Sequence, residues 1–109
     1  MIRVDVTERD GRIAVFEMSG HAEFDVRGKD LVCAGASAVS FGAVNAIEAL
    51  TGVEPEIEQA DAGYLKVAFP EGLERDTDDR VQLIVRSMIV SLQTIEESYG
   101  DFIQVTFRK

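Results

Sequence analysis

The chain has 109 residues, 46% hydrophobic and 28% charged, which suits one domain with a real core and a well-solvated surface. A net charge of −9 and a pI near 4.5 argue against binding bare nucleic acid, because phosphate recognition draws on clustered Lys and Arg. One cysteine and one histidine leave no internal disulfide and no Cys/His zinc site, and no metal or cofactor motif is present.

From the N-terminus, Ile2 to Thr7 alternates apolar and polar residues and reads as a half-buried strand. Glu8 to Arg12 holds an Asp-Gly pair, a hairpin signal, and Ile13 to Ser19 returns as a second strand. That strand carries apolar residues on both faces, which predicts a central place. Gly20 to Lys29 has no period, is bracketed by Gly20 and Gly28, and reads as a mobile loop. Asp30 is a natural N-cap for a helix running to about Thr51, with the stripe Val32, Ala36, Val39, Ala43, Ile47 and Leu50, closed by Gly52. Val53 to Gln59, with one proline and three glutamates, predicts an edge strand. Asp61 to Gly63 turns, and Tyr64 to Phe69 forms the next strand. A second helix spans Asp78 to Tyr99, capped by Asp76 or Thr77 and stopped by Gly100, with the stripe Val81, Ile84, Val85, Met88, Leu92, Ile95 and Tyr99. Phe102 to Arg108 is a last strand. The order β-β-α-β-β-α-β predicts an α+β fold, a mainly antiparallel sheet with two helices on one face, as one domain over residues 1–109. No apolar run approaches the roughly 20 residues of a membrane span, and the charged, alternating N-terminus is no signal peptide. A free thiol without an export signal fits a reducing cytoplasm.

The chemistry concentrates in one stretch. The single histidine, His21, precedes the single cysteine, Cys33, by twelve residues. With Asp30 as N-cap, Cys33 is the third helical residue, where unpaired N–H groups and the helix dipole favour a thiolate. The bland alternative is a small buried apolar residue, yet Cys33 falls off the apolar stripe. Gly20 frees the backbone before His21, which then reaches Cys33 if the helix packs beside the strand end. Asp30 either caps the helix, orients the imidazole, or does both with one oxygen each. Ser37, four residues on, shares the face of Cys33 and is either a hydrogen-bond donor to the site or a small packing residue. Backbone N–H groups of Cys33 and its neighbours offer an oxyanion hole.

Ser19-Gly20-His21-Ala22, followed by Gly28-Lys29-Asp30-Leu31-Val32-Cys33-Ala34-Gly35-Ala36-Ser37-Ala38, resembles the ribosomal-processing cysteine protease family of Firmicutes and relatives. The likeness extends through Ser40 to Ile47 and Ser91 to Glu97, nearly the whole chain. It implies a Cys-His dyad, with Cys33 the nucleophile and His21 the general base and acid. Gly20, Asp30 and Ser37 fall on the family's supporting and substrate-binding positions. It further implies a homodimer, a loop between the two catalytic residues that moves on substrate binding, and removal of an N-terminal extension from a large-subunit ribosomal protein, number twenty-seven in the usual naming. A basic ribosomal protein complements this acidic chain, and the same charge disfavours the RNA-coated ribosome, so cleavage is expected before assembly. Two other readings compete. In a non-catalytic binding module or chaperone for that protein, Cys33→Ala would keep full function; a redox thiol would need a resolving thiol from elsewhere.

Overall fold

The computed structural model describes residues 1–26, 29–60 and 63–109; Gly28, expected to bracket the loop, and Asp61 and Ala62 of the expected turn lie outside them. The elements run β1 (Ile2–Arg9), β2 (Arg12–Ser19), α1 (Leu31–Thr51), β3 (Glu56–Ala60), β4 (Tyr64–Ala68), α2 (Arg75–Tyr99) and β5 (Ile103–Arg108), the expected order. The sheet order is β3-β4-β2-β1-β5, so β2 is central and β3 lies at an edge, as their residues predict. All pairs are antiparallel except β1 with β5.

Asp10 and Gly11 both take positive φ, 53° and 77°, which makes the β1–β2 connection a two-residue turn whose twist matches its strands. A register shift between Thr7 and Glu8 lets the consecutive residues Ile13 and Ala14 both bury. The core joins Val4, Val6, Phe16, Leu65 and Val67 of the sheet to Val32, Ala36, Val44 and Ile47 of α1 and to Val81, Val85 and Leu92 of α2.

Several expected boundaries and stripes shift. On α1 the buried line is Val32, Ala36, Ser40, Val44 and Ile47, while Leu50 is 73% exposed. Steps of four rotate the buried direction by about 40° each, so in the last turn Leu50 has swung to solvent. The helix α2 begins at Arg75 with Glu74 as N-cap, not at Asp78, and neither Asp76 nor Thr77 caps it. Asp76 and Asp78 instead lie within its first turn, where their charge suits the helix dipole. Arg12 grips Asp78 through Nη2–Oδ1 at 2.8 Å and Nε–Oδ2 at 3.3 Å, tying that turn to β2. The strand β3 starts only after Pro55, which is itself buried. Against the expectation that no segment approaches a membrane span, α1 is long and apolar enough by length and composition; its buried line seats it on the sheet as a core helix.

Candidate active site

Asp30 organises the site. It is the N-cap of α1, and one carboxylate oxygen, Oδ1, accepts the N–H groups of Val32 and Cys33, each at 3.0 Å. The other, Oδ2, accepts the N–H groups of Phe24 at 2.9 Å and Asp25 at 3.3 Å. The second role open to Asp30 is therefore to hold the chain after His21, not to orient the imidazole. Burial pushes this carboxyl up, but its four backbone donors outweigh that and leave it below its ordinary value. Phe24 completes the fastening: its ring sits edge-on to Tyr99 and Phe102 with centroids 5.4 Å and 5.1 Å apart.

With the chain so held, the Ala22 N–H donates to Cys33 Sγ at 3.3 Å, a donor suited to an anionic sulfur. Cys33 is half-buried and is the third residue of α1, as its distance from Asp30 predicts. His21 and Cys33 together line a cavity of about 310 Å³ with Gly20, Ser37, Phe41 and Tyr64. They also line a second cavity, of about 440 Å³, together with Glu23, Asp30 and Ser37. Ser37 thus lines both cavities. No hydrogen bond joins imidazole to thiol among the described residues. One expectation is corrected: the N–H groups of Val32 and Cys33 are held by the Asp30 carboxylate and that of Ala34 by the Asp30 carbonyl at 3.0 Å, so those three form no oxyanion hole.

Gly20 is required twice. It takes φ +88°, and a Cβ there would run into the Met1 carbonyl. Its N–H donates to the Gly63 carbonyl at 2.9 Å, extending the β2–β4 ladder one step toward His21. Gly63 is a site residue that the sequence pattern does not disclose. A Cβ on it would lie 2.8 Å from His21 Cε1 and 3.0 Å from Nε2, so the bare glycine is the seat of the imidazole. Gln59, Ala60 and Tyr64 of the same hairpin also wall the first cavity. Tyr64 donates to Glu17 at 2.6 Å, and that bond, with burial, pushes its hydroxyl up to about 12, keeping it neutral. The signal in the sequence was a glycine in a hairpin turn; what it lacked was the knowledge that β4 lies beside β2.

A free thiol at a helix N-terminus, a backbone donor on its sulfur and an imidazole in the same cavity make the constellation of a thiol nucleophile with a proton carrier. Known proteins are similar to this chain over nearly its whole length. The family model for "Cysteine protease Prp" matches residues 1–104. The ribosomal processing cysteine protease Prp of Bacillus subtilis is 50% identical over 98 residues, covering 89% of this chain and 88% of its own. That of Staphylococcus aureus is 44% identical, covering 99% of this chain and 100% of its own. A crystal structure of the S. aureus protease with a covalently linked product peptide matches at TM-score 0.91 with 44% identity, over 99% of this chain and 100% of that one. A second, with a substrate peptide, matches at TM-score 0.85 over the same shares. The chain belongs to the cysteine protease Prp family and is a cysteine protease.

Proposed function

We propose that Cys33 is the nucleophile and His21 the proton carrier of an endopeptidase that removes the N-terminal extension of large-subunit ribosomal protein twenty-seven, in the cytoplasm and before ribosome assembly. The observation that carries this is the shared cavity: the molecule's one thiol and one imidazole line the same two cavities, with the Ala22 N–H on the sulfur. In the first step His21 takes the Sγ proton and the sulfur attacks the scissile carbonyl carbon, the Ala22 N–H steadying the sulfur as it gains charge. His21 then gives its proton to the departing amine, leaving the extension on Cys33 as a thioester, which water hydrolyses with His21 again as base. Gly20, Asp30 and Ser37 support the pair: Gly20 by the turn into His21, Asp30 by its cap and clamp, Ser37 by lining both cavities beside Cys33. The curated relatives' names, ribosomal processing proteases, support the choice of substrate, as does the match between a basic ribosomal protein and a chain of charge −9.

The enzyme acts as a homodimer. Large apolar side chains on both helices support this: Leu31 and Leu50 of α1 are 68% and 73% exposed, and Leu83 and Val90 of α2 are 71% and 60% exposed. Mass spectrometry of the free ribosomal protein after incubation tests the substrate assignment. The wild type shortens it at one junction, whereas an unshortened protein overturns the assignment; stronger cleavage in assembled particles than in free protein overturns the order of events.

A further inference from the structure

The sheet ends on β3, whose outer edge pairs with no strand among the described residues and whose five residues are all exposed. At about 3.3 Å per residue this is a track of roughly 17 Å of unused backbone donors and acceptors. It leads to the catalytic cavity, because Gln59 and Ala60 at its C-terminal end line that cavity with His21 and Cys33. No residue of β5, the other edge strand, lines it.

The register assigns the two faces. Ile57 pairs with Val67 and Gln59 with Leu65, both partners buried under the helices, so Ile57 and Gln59 sit on the helix side. There Ile57 is 45% exposed, and the cavity beyond it has apolar walls in Met18, Ala36, Phe41 and Leu65. Glu56 pairs with Ala68 and Glu58 with Lys66, on the open face of the sheet. A carboxylate-bearing edge repels a second copy of itself, yet it favours an incoming strand of opposite charge.

We infer that the substrate binds by adding a strand to β3, its extended chain pairing with the Glu56–Ala60 edge, its alternate apolar side chains entering the cavity beside Cys33, and its intervening side chains, basic, facing Glu56 and Glu58. This rests on Cys33 as nucleophile and goes beyond it, by fixing how the peptide lies and which side chains are read: a cationic, extended segment with apolar residues at every second position.

The test uses a peptide spanning the junction of the ribosomal protein, N-methylated one position at a time, and its binding to the Cys33→Ala protein. A methyl on a donor facing β3 removes one hydrogen bond and raises Kd about tenfold, so the expected profile alternates with period two. Charge reversal by Glu56→Lys with Glu58→Lys is expected to raise KM for the unmethylated peptide about tenfold at low salt, and less as salt screens the field. A profile with no alternation, or no KM effect of the reversal, overturns the inference while leaving the nucleophile intact. Cleavage by the Cys33→Ala protein itself overturns the nucleophile and the inference with it.

Discussion

At the scale of single residues, Asp30 joins the chain after His21 to the helix that carries Cys33, four N–H groups on one carboxylate. Asp30→Asn keeps an acceptor for the helix but turns an NH₂ group toward the Phe24 and Asp25 donors. Displacing His21 by a fraction of an ångström this way is expected to lower kcat/KM by about ten- to a hundredfold. Because the folded carboxyl lies below its ordinary 3.8, its contribution to stability is present above that pH and is lost as pH falls through the folded value. The wild type's advantage in thermal unfolding over Asp30→Asn should therefore shrink below pH 3.8. Gly63 tests the seat of the imidazole, with Gly72 as the comparison. Gly63 and Gly72 both take positive φ, +72° and +74°, but a Cβ at Gly72 meets nothing within 4 Å. Both alanine variants should lose about 1–2 kcal/mol of stability from the left-handed backbone, and Gly63→Ala more, because its Cβ would also lie 2.8 Å from the Gly20 carbonyl oxygen. Only Gly63→Ala should also lose kcat, by about tenfold or more, as its methyl displaces the imidazole; equal kcat for the two would contradict the seat. The proposed pair, Cys33 and His21, with Gly20, Asp30 and Ser37, could be grouped from the sequence because they lie within one strand end, one loop and one helix start. Gly63, Gln59 and Tyr64 were not, since they reach the site only through the β2–β4 pairing, and no local spacing encodes a strand order.

At the scale of elements, both helices were legible from their 3.6-residue period, and their errors have physical causes. The start of α2 was misplaced because Asp76 and Thr77 look like caps, whereas the Asp78 N–H already bonds the Glu74 carbonyl at 2.8 Å and Arg12 holds the Asp78 side chain. Gln82 escaped the stripe because it is polar, yet it is buried, its Oε1 accepting the Ile13 N–H at 2.7 Å and its Nε2 donating to the Ile13 carbonyl at 2.9 Å. It acts as a piece of backbone between α2 and the bulged start of β2. Gln82→Leu would strand both backbone groups, at about 1–3 kcal/mol each. Urea unfolding should register a loss of at least about 2 kcal/mol, with kcat of the folded enzyme unchanged, because Ile13 lies at the end of β2 away from His21.

At the scale of the whole molecule, a single helical layer leaves one sheet face open and Leu31, Leu50, Leu83 and Val90 of the helices exposed, which fits the proposed second copy on the helices and substrate on the sheet edge. Sedimentation should return twice the 12.0 kDa chain mass, and a monomer at micromolar concentration would contradict the dimer. The antiparallel character of the sheet was legible from the hairpins, while the parallel β1–β5 pair was not, for α2 separates β5 from the strands before it in sequence. The proposed function turns on one event, the transfer of an acyl group to the Cys33 sulfur. Acid-quenched intact-protein mass spectrometry in the first turnover reads it directly. The wild type should gain the mass of the released extension less one water, mapped to Cys33, and the Cys33→Ala protein should gain nothing and leave the substrate whole. Product formed without that adduct, or by the Cys33→Ala protein, would contradict the account.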